Sequence, residues 1–239
     1  MVSRRVPAVA VSEVEVSYGP RATIGPISFE LEPGAVLGLI GGNGSGKTTV
    51  LRTLCALQTV SRGTVRVYGE PVSVGRPVRR VGAMIEEPRF YGWLSGRDNL
   101  LMAAGGRRDW AGRTDPTLDD VGLTEAAEVP VGEYSQGMRQ RLGVARALLG
   151  DPRLLILDEP SNGMDAPSMR QIRGVLQRTV ARGTALILTT HLIAEVEALA
   201  HRVCVMNAGS ALCVAEVSKA VTEAGSLDTY YQRLLADPP

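Results

Sequence analysis

The stretch Leu39-Ile-Gly-Gly-Asn-Gly-Ser-Gly-Lys-Thr-Thr49 constrains this chain more than any other. It fits G-x-x-x-x-G-K-[ST], with Gly41, Gly46, Lys47 and Thr48 at the fixed positions. Glycines without a Cβ let backbone N–H groups close around a polyphosphate, so Gly41, Gly42, Asn43, Gly44, Ser45 and Gly46 form the candidate cradle. Lys47 is placed to reach the outer phosphates and Thr48 to offer its hydroxyl to Mg²⁺, with Thr49 completing the set. The flanks agree. Ala35–Ile40 is an apolar run of strand length, and residues 47–58 read as a helix whose amino terminus attracts anions. A nucleoside triphosphate site is the first expectation.

Three apolar runs share one design: Ala35–Ile40, Leu154–Leu157 and Ala185–Leu188. Continuous apolar character marks strands buried on both faces, as in parallel sheets. Each run is followed at once by polar residues: the glycine loop, Asp158-Glu159, and Thr189-Thr190-His191. Ligands of parallel α/β sheets gather beyond the carboxyl ends of strands, so these segments are expected to converge on one site. Asp158 suits a Mg²⁺ ligand, and Glu159 a base that orients and deprotonates an attacking water.

The remaining segments frame that core. Val14, Val16 and Tyr18 alternate with polar residues, as do Ile27, Phe29 and Leu31, giving half-buried strands. Gly63–Gly69 is a further short strand, and connections this short favour antiparallel pairing. A helix between the second and third apolar runs carries Met169, Ile172, Leu176 and Val180 on one face, with Gly183 past its end. Residues 98–104, 116–121 and 135–150 read as helices. In the last, Met138, Leu142, Ala145 and Leu149 face a core while Arg139, Gln140, Arg141 and Arg146 face elsewhere. The expected division is therefore 1–87 with 150–213 as an α/β core bearing an antiparallel β part, 88–149 as a helical insertion, and 214–239 as a tail of two short helices.

Totals exclude several classes. Lys and Arg number 26 against 25 Asp and Glu, so bulk charge favours no nucleic-acid partner. The pairs Arg4-Arg5, Arg79-Arg80 and Arg107-Arg108 read as solvated faces. Cys55, Cys204 and Cys213 are odd in number and scattered; they read as buried thiols in a reducing compartment. Arg4-Arg5 before Val6–Val11 is too short for a secretory signal, with Glu13 and Glu15 following. No run approaches the ~18 apolar residues of a membrane span. A cytosolic chain is expected, with any membrane role arising through a partner.

Tyr134-Ser135-Gln136-Gly137-Met138, the run Gln140–Leu149 after it, Leu157-Asp-Glu-Pro-Ser-Asn-Gly-Met-Asp165 and Thr-Thr-His191 stand in an order that resembles the ATP-binding cassette of ABC transporters over nearly the whole chain. The resemblance implies an α/β P-loop NTPase (RecA-like) core with an antiparallel β subdomain and an inserted α-helical subdomain. It further implies that ATP and Mg²⁺ bind between two cassettes facing head to tail, as a homodimer or heterodimer. Tyr18 would stack on adenine. Ser135 and Gly137 would meet the γ-phosphate of the partner cassette, and His191 would hold that phosphate and the attacking water. Membrane-spanning subunits would be separate chains, placing this one at the inner face of the membrane. His201 matches no motif and reads as structural.

Departures from the family pattern are specific. Gln136 and Met138 replace the signature's glycine and glutamine, and Gly42 replaces a common proline. Glu86 stands where the family's Q-loop has glutamine; its oxygen still suits Mg²⁺, but it cannot donate and adds charge. Glutamate here, before Pro-x-Phe-Tyr, resembles the bacitracin- and lantibiotic-resistance exporters and points to amphipathic peptides or drugs as cargo. Phe90, Tyr91 and Trp93 crowd just downstream, where the resemblance places the membrane partner. The rivals fit less well. Only 88 positions separate Lys47 from Ser135, with no heptads, unlike DNA-repair ABC ATPases, and there is one cassette, unlike the ribosomal kind. Intact Lys47, Asp158, Glu159 and His191 argue against a binding-only regulatory cassette.

Overall fold

The computed structural model describes residues 6–19 and 22–237; the arginine pair Arg4-Arg5 and the terminal Pro238-Pro239 lie outside them. Two sheets organise the chain. Strands β1 (Val9–Ser17), β2 (Thr23–Leu31), β4 (Arg62–Val67) and β5 (Glu70–Pro71) form an antiparallel sheet in the order β2-β1-β4-β5. Strands β3 (Val36–Gly41), β6 (Val81–Met84), β7 (Leu154–Asp158), β8 (Ala185–Thr189), β9 (Arg202–Asn207) and β10 (Ser210–Glu216) form the second, ordered β10-β9-β3-β8-β7-β6. It is parallel throughout except for the antiparallel edge strand β10.

Period-two geometry explains why the apolar runs are continuous. Leu155, Leu157, Leu186 and Leu188 point into one core, while Leu154, Ile156, Ala185 and Ile187 point into another. The first core is filled by α5 (Gln136–Leu148) and α6 (Ala166–Ala181), with Leu100 of α2 (Gly96–Ala104) and Leu118 of α4 (Thr114–Asp120). The second is closed by the antiparallel sheet and by Val50, Leu51 and Leu54 of α1 (Lys47–Leu54). Each fully buried leucine or isoleucine contributes about 1.5–3 kcal/mol by leaving water. A third core joins β9 to α7 (Ile193–Leu199), α8 (Val217–Ala224) and α9 (Leu227–Ala236).

Several expectations need correction. The helix after the glycine loop ends at Leu54 rather than Gln58. Ala56 takes φ 58°, its N–H bonds to the Thr53 carbonyl and the Leu57 N–H bonds to the Arg52 carbonyl, which together make a Schellman stop. An alanine at the left-handed position leaves no glycine signal to read. The tail helices begin at Val217, because Val214 to Glu216 pair with β9. Tyr18 lies just beyond β1 and is half exposed instead of continuing the strand. Helices α2 and α4 each start two residues before the expected point. Of the cysteines, only Cys204 is fully buried; Cys55 and Cys213 are half-buried, and all three are free thiols.

Strands β6, β9 and β10 went unread in the sequence. In β6, Gly82 allows α5 to approach so closely that a Cβ there would lie 1.9 Å from the Ala147 carbonyl oxygen. His201, expected to be structural, accepts a hydrogen bond on Nδ1 from the Val36 N–H at 3.1 Å, tying α7 to the start of β3. No helix among the described residues is long and apolar enough to cross a membrane.

Candidate functional site

Because β3, β8 and β7 are neighbours and parallel, their carboxyl ends deliver the glycine loop, Thr189–His191 and Asp158-Glu159 to one edge of the sheet. The loop runs from Gly41 to Gly46, which takes φ 102° and caps α1 without any side-chain hydrogen bond. A Cβ at Gly46 would come within 2.7 Å of Ile24, so no other residue fits unstrained. With no side-chain cap and no acid in its first turn, α1 leaves its amino-terminal N–H groups and dipole for an anion. Lys47 Nζ lies across the loop, donating to the carbonyls of Gly41 (2.8 Å) and Gly42 (3.0 Å). The Ser45 hydroxyl is buried and has no hydrogen-bond partner among the described residues. An ammonium, orphan N–H groups and an unpaired hydroxyl in one cradle form a donor set for phosphate oxygens.

Oxygen ligands for a cation lie beside this cradle. Thr48 Oγ1 donates to Asp158 Oδ2 at 3.1 Å, and the other Asp158 oxygen accepts from Thr189 Oγ1. Two oxygens bound side by side on Mg²⁺ at about 2.1 Å lie about 3 Å apart, so the Thr48–Asp158 pair fits that ion. Among the described residues no cluster of three His, Cys, Asp or Glu side chains could hold a metal alone.

Glu159 is the most constrained residue of the edge. It adopts φ 48°, rare for a residue with a long side chain. Four hydrogen bonds hold it there. Its N–H donates to the Thr189 carbonyl (3.2 Å) and to Thr189 Oγ1 (3.0 Å). Its carbonyl accepts from the Asn162 N–H (3.1 Å) and from Gln140 Nε2 (2.7 Å). The carboxylate then points at His191: Oε2 is 2.8 Å from Nδ1 and 3.4 Å from the His191 backbone nitrogen. His191 itself is largely exposed, with 63% of its side chain accessible against 29% for Glu159. The neighbouring turn is locked by buried Glu195, which accepts from Ser161 (2.8 Å) and Thr190 (3.1 Å).

The other sequence candidates fall around this edge or away from it. The Tyr18 hydroxyl lies 3.0 Å from Thr49 Oγ1 and 3.4 Å from Gln58, so its ring sits over the start of α1. Ser135 caps α5 by accepting from the Met138 N–H at 3.2 Å. Gly137 packs against Gly163, where a Cβ would meet the Gly163 oxygen at 3.0 Å. Ser135 bonds within α5 and Gly137 packs on the Ser161–Asp165 turn; neither of these contacts involves the glycine loop. The atypical Gln136 lies over Gly163, so it fills space between α5 and the Ser161–Asp165 turn. Glu86 is half exposed and forms an ion pair with Arg52, one turn beyond Thr48 on α1.

Sequence reasoning missed two of these contributors. Gln140 reads in sequence as facing away from the α5 core stripe; it is 6% exposed and holds the Glu159 carbonyl. A buried amide is stable only when hydrogen-bonded, and Glu159 supplies its partner. Arg52 carried no signal, since its meaning depends on where the loop containing Glu86 returns.

Comparison with known proteins agrees with this geometry. The family described as "ABC transporter" matches residues 24–162. The uncharacterized ABC transporter ATP-binding protein YhcH of Bacillus subtilis is 38% identical over 218 residues, covering 88% of this chain and 70% of that one. The bacitracin transport ATP-binding protein BcrA of Bacillus licheniformis is 34% identical, covering 85% and 68%. A solved ATP-binding subunit of an ABC transporter superposes with TM-score 0.86 at 24% identity, covering 95% of this chain and 99% of that one, and so shares its fold. Matched over more than half of its length, and carrying the ATP-binding ATPase domain that its strand ends present, the chain belongs to the ABC transporter family.

Proposed function

We propose that this chain hydrolyses ATP to power separate membrane subunits of an exporter, working as one of two cassettes that close head to tail on the nucleotide. The observation that carries this reading is the single sheet edge where Lys47, the Thr48–Asp158 pair and the Glu159–His191 pair meet. Lys47 and the amino terminus of α1 bind the phosphates. Mg²⁺ held by Thr48 and Asp158 would neutralise charge on the phosphate oxygens. Glu159 takes the proton of the attacking water, and His191, oriented by that carboxylate, steadies the γ-phosphate. Tyr18 stacks on the base, and Ser135 with Gly137 serves the nucleotide of the opposite cassette. Glu86 is paired with Arg52, which offsets the charge that glutamate adds; it would have to leave that pair to help hold Mg²⁺.

Export of antibiotic peptides or drugs is supported by the similarity to the bacitracin transport ATP-binding protein and by Glu86. The segment after Glu86 offers the membrane partner a surface. Trp93 is 76% exposed with Tyr91 tilted beside it at 5.2 Å, whereas Phe90 is spent inside, under Arg146. The test is to purify this chain with the membrane protein of the adjacent reading frame and to assay ATPase activity against a panel of peptide antibiotics. Stimulation by one of them supports the exporter. Failure to co-purify, with activity responding to DNA or ribosomes, overturns it in favour of a soluble ATPase.

Gln140 acts here as a positioning residue. Replacing Gln140 by leucine should remove about 1 kcal/mol of stability, or some 2–4 °C in melting temperature for a domain of this size. It should also lower kcat roughly tenfold with little change in the KM for ATP, because Glu159 is misplaced while the phosphate cradle is untouched. Equal losses in kcat and ATP affinity would argue against this role.

A further inference from the structure

At the opposite end of the parallel sheet, where β6, β7 and β8 begin, lies a recess of about 360 Å³. Four arginines line it, Arg80, Arg113, Arg153 and Arg182, against two acids, Asp120 and Asp151. Both acids are already engaged: Asp151 pairs with Arg113 at 3.3 Å, and Asp120 with Arg178 outside the recess at 3.1 Å. The Arg80 and Arg182 guanidinium groups have no ion-pair partner among the described residues, and Arg153 lies 3.8 Å over the ring of Tyr68. Arg80 and Arg182 therefore bring two cationic groups to this recess without a compensating carboxylate among the described residues, while Arg153 turns toward Tyr68. Adjoining hollows extend the same character, with Arg76 and Arg79 on one side and Arg107 and Arg146 on the other. Arg79, Arg80 and Arg107, which read in sequence as solvated faces, thus border adjoining hollows on one side of the molecule. This concentration contrasts with a chain whose total charge is +1.

The recess is also preformed. Arg80 and Asp151 both take left-handed conformations, φ 55° and 49°, and the Arg80 carbonyl is held by the Arg153 N–H at 2.8 Å. The Arg153 carbonyl accepts from the Tyr68 hydroxyl at 2.7 Å, which fixes the ring under its own guanidinium. Strain held in place by surrounding bonds is typical of ligand clamps.

We propose that this recess binds a small anion carrying two or three phosphate charges, such as the pyrophosphate or triphosphate portion of a soluble metabolite, at a site separate from the nucleotide edge. Guanidinium groups pair bidentately with phosphate oxygens, and the volume lies in the range of small-ligand pockets. The concave form fits a compact anion better than the flat headgroup surface of a membrane.

The test uses the Lys47→Ala variant, which weakens the phosphate cradle, titrated calorimetrically with tripolyphosphate at low salt. The expected result is saturable one-to-one binding that weakens roughly tenfold or more in the added double variant Arg80→Gln/Arg182→Gln. It should persist in Arg170→Gln, which removes one charge, as Arg182→Gln alone does, from an exposed part of α6 outside the recess. If the double variant does not fold, Arg182→Gln alone decides, since that side chain has no ion-pair partner to lose among the described residues. Absence of saturable binding, or equal weakening by Arg170→Gln, overturns the proposal. So does arginine-dependent binding to vesicles of anionic phospholipid without binding of tripolyphosphate, which would make the recess a membrane contact.

Discussion

Replacing Glu159 by glutamine should leave ATP binding close to wild type and lower its hydrolysis by about 10²–10⁴-fold, the range contributed by a positioned general base. The structure makes this a clean substitution. Glutamine keeps the volume, and the strained φ of 48° is set by backbone bonds to Thr189, Asn162 and Gln140 that the change does not touch. The side chain can still bond to His191 Nδ1, so the imidazole is not released. What disappears is the proton acceptor. A second substitution separates this from loss of charge. Glu159→Asp keeps the carboxylate but withdraws it by one methylene from the 2.8 Å contact with His191, and it should also be strongly impaired. Steady-state ATPase and equilibrium nucleotide binding check both variants. Because hydrolysis would release the closed pair of cassettes, Glu159→Gln should accumulate as a dimer with ATP bound, readable by sedimentation. Near-normal turnover in Glu159→Gln would remove Glu159 from the role of base.

The parts of this molecule that sequence exposes are those where one local pattern has one physical meaning. Strands β3, β7 and β8 were legible because burial on both faces demands continuous apolar residues, and the spacing of the glycine loop permits few other uses. Strands β6 and β9 were not. Val81–Met84 contains Gly82, which admits the close approach of α5, and Ala83, which faces the second core, and so lacks strand composition. The end of α1 was hidden because alanine occupies a position where glycine is usual. At the site, Lys47, Thr48, Asp158, Glu159 and His191 could be nominated from order alone, but their mutual geometry could not. Gln140 looked like a surface residue because a single buried polar side chain breaks helix periodicity without announcing its partner, which lies 19 residues away. Arg80, Arg113, Arg153 and Arg182 show the same limit on a larger scale. Their proximity is created by strand order and is invisible in any window of sequence.

Lys47→Ala tests the other half of the mechanism and should act on binding rather than on chemistry. The ammonium bonds to the Gly41 and Gly42 carbonyls, so it is already centred on the loop and need not be recruited when phosphate arrives. A charge-assisted hydrogen bond to phosphate is worth about 1.5–3 kcal/mol, which corresponds to an ATP affinity lower by about 10–100-fold. Thermal stability reports this directly. A ligand present at about a hundred times its Kd stabilises a fold by about 2.7 kcal/mol, whereas at Kd it adds only about 0.4 kcal/mol. In a domain of this size that is a rise in melting temperature of roughly 5–11 °C for the parent and 1–2 °C for the variant at the same ATP concentration. Lys47→Arg sharpens the result. Charge is retained, but a planar fork cannot present the compact three-donor group that bridges two carbonyls of a tight loop, so affinity should recover only in part. Full recovery in Lys47→Arg would mean that charge alone matters and that the loop geometry does not. An undiminished rise in melting temperature for Lys47→Ala would mean that the phosphates are held elsewhere, and the assignment of the Gly41–Thr48 cradle would fall with it.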